Sequence, residues 1–251
     1  MGESKYWIMG ILALGLVIVT IVLAANSKPS IVVNPDQTKD TITVTGTTEL
    51  TVDPDEVEIY IVVETTEVTA AKTKDTNAEI AEKVISALKR AGIKSDDIET
   101  TNYYLYPKYE WNEDLKKSEL VGYTLSNTMK VTTDDLEKTG DLIDVAVEAG
   151  ANRVDNVNFK LSKEMEKTVK ADAMTKAATA AKEKADALTD TLGVSLGKIK
   201  SISESNYYYT PYNVRYDVSM AKESAGGAPA TNIQPQKLDV SASVSLVYEI
   251  N

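Results

Sequence analysis

The sequence predicts an α+β protein. We expect one mixed or antiparallel sheet of about six to seven strands, about three helices on one face, and one N-terminal transmembrane helix. Three observations support this prediction. An uncharged apolar segment lies near the start of the chain, and alternating β-branched runs then exchange with stretches of helical periodicity. A unit of helix, glycine, turn and strand also recurs along the chain, which indicates β-α-β-like repeats.

The apolar segment at residues 8–25 carries no charge. As a helix it would extend roughly 27 Å, close to the ~30 Å hydrocarbon core of a bilayer. Tyr6 and Trp7 precede it, and such amphipathic rings favour the membrane interface. We therefore predict a single-pass anchor at residues 1–26 that contacts the bilayer through residues 6–25, with the C-terminal domain outside the cytoplasm. The alternative is a signal peptide whose cleavage leaves a secreted or periplasmic protein.

The rest of the chain divides into a linker and an ectodomain. Residues 27–39 are polar, contain two prolines and predict a linker, which leaves 40–251 as the α+β ectodomain. Alternating residues predict strands over 41–45 and 57–63, separated by a turn at the Asp-Pro-Asp of 53–55. Apolar residues at helical spacing predict a helix over 69–91 that ends at Gly92.

The helix–glycine–strand unit accounts for most of the remaining elements. It occurs at 84–105, at 142–161 and, more loosely, at 185–203, while further strands are predicted over 123–131 and 238–250. The third helix, about 164–192, places small residues on one face: Ala173, Ala177, Ala181 and Ala185. We interpret this face as a core stripe that lets the helix approach a sheet closely; a subunit contact is the alternative.

Composition excludes several classes of chemistry. The chain has 27 Lys and Arg against 38 Asp and Glu, a net charge of −11, and neither His nor Cys. It therefore has no His-dependent catalytic triad, thiolate nucleophile, disulfide or zinc knuckle. The acidic balance argues against a nucleic-acid partner, because such a partner requires clustered Lys and Arg. Paired acids such as Asp96 and Asp97 are interpreted as turn and helix-start residues. We expect no enzyme activity, catalytic residue, metal or cofactor.

Tyrosine is the unusual feature of the composition, with 13 residues beside two Trp and one Phe. Most of them fall in two clusters. We expect each cluster to lie where a strand enters a polar loop, and the two loops are predicted at about 111–119 and about 210–236. We predict a contact with another subunit or a partner protein; strand packing and a sugar- or ligand-stacking site are the alternatives. The predicted contact residues are Tyr103, Tyr104, Tyr106, Tyr109, Trp111, Tyr207, Tyr208, Tyr209 and Tyr212.

Six ordered blocks over about 40–250 resemble the SIMPL-domain family. They are Thr-Val-Thr-Gly at 43–46 with Pro-Asp at 54–55; Ile-Glu-Thr-Thr at 98–101 with Tyr-Pro-Lys-Tyr at 106–109; Gly-Tyr at 122–123 with Asn127; Gly-Ala-Asn at 150–152 with Phe159; the alanines 177, 181 and 185 followed by Leu-Gly at 192–193 and 196–197 and Ile-Ser-Glu-Ser at 202–205; and the final strand, 240–249. The resemblance implies an exported or periplasmic α+β protein. Some members form ring- or channel-like homo-oligomers, and bacterial members are associated with immunogenic surface proteins and oxidative stress. The family has no assigned catalytic residues to carry over.

These observations together predict a membrane-anchored extracytoplasmic protein that self-assembles into a homo-oligomer and serves as a non-enzymatic envelope scaffold or stress-related factor. Two alternatives stay open: an envelope hydrolase that uses paired carboxylates, and a binding module for another protein or a small ligand.

Overall fold

The computed structural model describes residues 40–216, 231 and 233–251. Within them the chain forms three helices and eight strands, and all strand pairs are antiparallel. The predicted α+β class and the three helices are confirmed. The single sheet of six to seven strands is wrong, because the strands divide into two sheets. The predicted anchor and linker, including Tyr6 and Trp7, lie outside the described residues. None of the helices in the described part of the chain is long and apolar enough to span a membrane.

The larger sheet has five strands. They are β2 (Glu56–Glu67), β3 (Ile98–Asn112), β4 (Lys117–Thr133), β5 (Arg153–Lys160) and β7 (Tyr212–Tyr216), in the spatial order β3-β4-β2-β5-β7. Helix α1 (Ala70–Arg90) connects β2 to β3, and α2 (Thr139–Glu148) connects β4 to β5. In each case the connected strands are parallel, with one antiparallel strand between them. Strands β2 to β5 and the two helices therefore form the split β-α-β arrangement of ferredoxin-like folds.

One face of this sheet carries α1 and α2. Val57, Ile59 and Ile61 of β2 are fully buried in one apolar cluster with Leu88 of α1 and Ile143 of α2. These alternate β2 residues follow the period-2 pattern that predicted the strand, and the α1 residues follow the helical spacing. The side chain of Thr69 caps α1 by accepting a hydrogen bond from the backbone N–H of Lys72.

The smaller sheet has three strands. They are β1 (Thr41–Val52), β6 (Leu196–Tyr209) and β8 (Leu238–Ile250), in the order β1-β8-β6. Helix α3 (Lys163–Leu192) covers its inner face, and the predicted alanine stripe, Ala173 to Ala185, is fully buried there. Gly46 of β1 lies directly beneath the helix: a Cβ atom at this position would lie 2.1 Å from the carbonyl oxygen of Ala177. The core-stripe interpretation is confirmed.

Each of the three predicted helix–glycine–strand units is present. Gly92, Gly150 and Gly193 follow the three helices with φ values of 105°, 117° and 71°, in the left-handed region where the absence of a Cβ removes the steric cost. The first two units return to the five-stranded sheet, whereas α3 leads from β5 to β6 in the other sheet. Side-chain alternation predicts strands without specifying their partners, which is why one sheet was expected.

Both loops expected beside the tyrosine clusters include residues that the structure places in strands. Strands β3 and β4 extend to Asn112 and from Lys117, so only residues 113–116 form the turn between them. The distal parts of these strands extend beyond the pairing of β4 with β2, and most of their side chains are exposed. In the second loop, residues 212–216 form β7, which pairs with β5 at the edge of the larger sheet.

Candidate interaction surface

Strands β3 and β4 continue beyond the larger sheet as a two-stranded ribbon. Pairing between β2 and β4 ends at Tyr123, whereas β3 and β4 remain paired from Lys108 opposite Gly122 to Asn112 opposite Lys117. We refer to residues 108–122 as the β3–β4 ribbon. Since β3 is also the edge strand, the outer side of the ribbon presents backbone N–H and C=O groups that no neighbouring strand in the described residues pairs.

The turn that closes the ribbon is built locally. The side-chain oxygen of Asn112 accepts hydrogen bonds of 3.0 Å from the backbone N–H groups of both Asp114 and Leu115. Lys116 then has φ 52°, a left-handed conformation that completes the reversal into β4. This Asx turn aligns the strands so that Tyr109 faces Leu120 across the ribbon.

The ribbon has one apolar and one charged face. Residues opposite each other in an antiparallel pair project to the same side, so Tyr109, Trp111 and Leu120 share one face. These three side chains are 59%, 57% and 48% exposed. The other face contains Glu110 and Glu119, which form ion pairs of 3.2 Å with Lys108 and Lys117. The charged groups therefore have partners within the ribbon, whereas the described residues do not cover the apolar face.

The rest of the first tyrosine cluster lies on the same edge strand. Tyr103 and Tyr104 are exposed, Tyr106 is half-buried, and the rings of Tyr104 and Tyr106 lie 5.5 Å apart between centroids. All five predicted contact residues between 103 and 111 therefore lie along β3 rather than in a loop after it. Alternation along β3 places Tyr103 on the same face as Tyr109 and Trp111, and Tyr104 and Tyr106 on the opposite face of this edge strand.

The second tyrosine cluster is divided between packing and solvent. Tyr207 and Tyr209 are half-buried against the apolar cluster beneath α3, and Tyr212 stacks on Phe159 with 6.3 Å between ring centroids. Burial raises the pKa of Tyr207 and of Tyr209, and nearby Glu166 acts in the same direction. Tyr208 is the member of this cluster that solvent reaches most, at 64% exposed. The rings of the other three stabilise the fold.

Sequence reasoning missed a charged network on the helix-free face of the larger sheet. Glu58 of β2 is only 9% exposed, and Lys160 contacts its Oε1 at 2.8 Å, with Lys130 at 3.7 Å. Its Oε2 accepts hydrogen bonds from Tyr60 and Asn158. Burial by itself would raise the pKa of Glu58, but the hydrogen bonds from Lys160 and Asn158 and the charges of Lys160 and Lys130 lower it below its usual value.

The network satisfies its own charges. Lys160 also pairs with Glu56 at 2.9 Å, and Lys130 pairs with Glu99 at 2.7 Å. The alternation of Glu58 and Tyr60 with apolar residues in β2 is the sequence signal for a polar second face, but only the strand register shows which side chains meet across it. Neither here nor in the rest of the described ranges is a group of three or more acidic side chains placed to hold a metal ion.

The fold and these surfaces define a class: an α+β domain of two antiparallel sheets, whose distinctive surface is an uncovered aromatic edge. A family model described as SIMPL, protein of unknown function (DUF541), matches residues 42–248, so the chain belongs to the SIMPL family. The family resemblance in the sequence is confirmed.

Three relatives illustrate the family. The 26 kDa periplasmic immunogenic protein of Brucella melitensis is 29% identical over 212 residues, which cover 83% of this chain and 84% of the relative. The uncharacterized protein YggE of Edwardsiella ictaluri is 28% identical, with coverage of 84% and 87%. The protein of the same name in Escherichia coli K12 is 27% identical, with coverage of 83% and 82%.

Proposed function

We propose that this protein is an exported, N-terminally anchored member of the SIMPL family whose ectodomain self-associates through the β3–β4 ribbon. In this proposal it serves the cell envelope as a scaffold or stress-related factor and catalyses no reaction. The observation that carries the proposal is the apolar ribbon face formed by Tyr109, Trp111 and Leu120. Exposed aromatic surface of this kind, bordered by paired charges, is typical of protein contacts.

The geometry of the ribbon favours a second copy of the chain as the partner. A two-stranded ribbon is marginally stable alone, and a like ribbon supplies both an apolar face and a free strand edge. Such a contact is self-complementary, because each copy presents the same rings to the other. The charged face carries Lys and Glu in internal pairs, so it can remain in water while the aromatic face is buried.

Export is supported by the relatives and by the N-terminal sequence. The Brucella melitensis relative carries the name 26 kDa periplasmic immunogenic protein, and residues 8–25 of this chain have the length and apolarity of a bilayer-spanning helix. Fractionation of expressing cells followed by intact-mass measurement tests this part. A full-length chain in the membrane fraction supports the anchor. A soluble periplasmic chain that lacks about 25 residues supports the cleaved alternative.

A stress-related role rests on the family resemblance alone. The chain has no cysteine, so a thiol redox cycle cannot operate within it. Its six methionines are the side chains that an oxidant would convert reversibly to sulfoxide.

Self-association is tested by sedimentation velocity on the full chain in detergent at micromolar concentration. We expect an oligomer in the wild type and a lower-order species in the double variant Tyr109→Ser/Trp111→Ser. Leu192→Ser provides a matched control, since this leucine is 68% exposed but lies at the end of α3, outside the ribbon. A monomeric wild type with an intact fold would refute the proposal, as would an equal loss of assembly in the control.

A further inference from the structure

A second surface feature lies on the smaller sheet, away from the β3–β4 ribbon. A depression of about 580 Å³ opens on its outer face, where the chain passes from β6 to β7. Glu49 and Thr51 of β1, Asp239 and Ser241 of β8, and Tyr208 of β6 contribute to its lining. The fold places these residues on the face opposite α3, since their strand neighbours Leu238 and Val240 are buried beneath that helix.

Strand register determines how these groups are arranged. Ser241 lies opposite Tyr208 on one side and opposite Glu49 on the other, so the aromatic ring and the carboxylate flank a central hydroxyl. With strands about 4.8 Å apart, Tyr208 and Glu49 are separated by about 10 Å at their backbones. Asp239 lies opposite Thr51, two residues along β8 and β1 from the pair of Ser241 and Glu49 and therefore on the same face. A six-membered sugar ring fits across this distance.

The lining groups remain available to a ligand. Tyr208 is 64% exposed, and its hydroxyl accepts a 2.8 Å hydrogen bond from the hydroxyl of Thr210, which restrains the ring. The hydroxyl of Thr51 donates to Oδ1 of Asp239 at 3.1 Å, which leaves the second oxygen of Asp239 open. The carboxylate of Glu49 is exposed and forms no ion pair within the described residues.

We propose that this depression binds a neutral saccharide of one or two rings. The apolar C–H face of a sugar ring stacks on an aromatic side chain, while its hydroxyls donate to carboxylates and exchange hydrogen bonds with Ser and Thr. Glu49 and Asp239 disfavour acidic sugars, and the nearby lysine, Lys237, is directed toward Asp53 with 3.8 Å between the charged atoms.

The site binds without cleaving. A carboxylate pair that hydrolyses a glycoside needs one member held protonated by a protected environment. Glu49 and Asp239 are both exposed to solvent, and the described residues provide no apolar enclosure around either. The depression therefore serves as a recognition site, and it does not depend on self-association through the ribbon.

Saturation-transfer NMR and calorimetry on the full chain, in a detergent without a sugar headgroup, test the proposal. The probes are N,N′-diacetylchitobiose, cellobiose and maltose, with spermidine as a cationic comparison. We expect at least one saccharide to bind with a dissociation constant of about 1 mM or tighter. Tyr208→Ala and Glu49→Gln should each weaken it at least about tenfold. Tyr208→Phe, which keeps the ring, should stay within about threefold of the wild type.

Two variants serve as controls. Tyr104→Ala removes an exposed tyrosine, and Glu183→Gln removes an exposed carboxylate, both outside the depression. Each should bind like the wild type. The proposal is overturned if no saccharide binds below about 10 mM, if spermidine binds in place of the sugars, or if the controls weaken binding as much as the depression variants. Release of monosaccharide from any probe would overturn binding without cleavage.

Discussion

Substituting Gly46 by alanine tests the contact between β1 and α3 directly. The added methyl group would lie 2.1 Å from the carbonyl oxygen of Ala177 and 2.2 Å from the backbone nitrogen of Ala181, where ordinary contacts begin near 3.4 Å. Both obstructing atoms belong to the helix backbone, so no side-chain rotation relieves the overlap. The helix must move away from the sheet by about 1 Å, which loosens the close packing of its alanine stripe.

We expect Gly46→Ala to reduce the free energy of unfolding by about 3 kcal/mol or more. This is at the upper end of overpacking effects, because the strained atoms are backbone and because the stripe is packed along the whole helix. The total free energy of unfolding of a domain of this size is typically about 5–15 kcal/mol. The variant should therefore remain folded at 25 °C but unfold at a clearly lower urea concentration than the wild type.

Urea titration followed by far-UV circular dichroism measures the change. Thr45→Ala is the control, since Thr45 neighbours Gly46 on β1 but faces solvent, and it should cost less than about 1 kcal/mol. Combining Gly46→Ala with Ala181→Gly should not restore stability, because removing the Ala181 methyl leaves its backbone nitrogen in place. A loss below about 1 kcal/mol for Gly46→Ala, or a full rescue by the double variant, would refute this account of the interface.

Two further predictions concern polar contacts. Glu58→Gln should lower the free energy of unfolding at neutral pH by about 1–3 kcal/mol, because Lys130 and Lys160 lose a shared carboxylate. The folded-state pKa of Glu58 is lowered, so its contribution is present above the usual value near 4.5 and is lost as pH falls through the folded value. The variant's stability should therefore depend less on pH below about 5 than the wild type's; parallel curves from urea titrations at pH 3–7 would contradict this. Asp55→Ala should cost about 1–3 kcal/mol in a thermal melt, since Asp55 accepts bonds of 2.7 and 2.6 Å from the backbone and hydroxyl of Ser162 at the start of α3; a change under about 0.5 kcal/mol would count against that role.

Local patterns predicted the elements well, and pairing is where they failed. Helical spacing placed a helix at 69–91, and the structure has Ala70–Arg90, because the period and the glycine after it act within one segment. The alanine stripe of α3 likewise predicted a close contact. It did not indicate the partner, since Gly46 lies far away in sequence and only the paired sheet brings it under the helix.

The candidate surfaces were partly visible in the sequence. The clustering of tyrosines led to the prediction of contact residues on what the structure shows to be β3 and β6. Tyrosine has two different roles there, because Tyr104 lies on an open sheet edge whereas Tyr209 packs beneath α3. Exposure depends on whether a helix covers the strand, which no local pattern records. The depression near Tyr208 depends on register: Glu49 and Ser241 are close only because β1 and β8 pair along their whole lengths.

The Glu58 network and the β3–β4 ribbon of the larger sheet differ in whether their side chains already have partners within the chain. Around Glu58, each charge has an opposite charge or hydrogen-bond donor within the same chain, so a partner would have to displace existing bonds to bind there. On the β3–β4 ribbon, Trp111 and Tyr109 expose large apolar rings while the charged face is already paired. Binding at the ribbon removes apolar surface from water and breaks no internal ion pair. These differences are the reason the proposed contact is assigned to the aromatic ribbon and not to the Glu58 network.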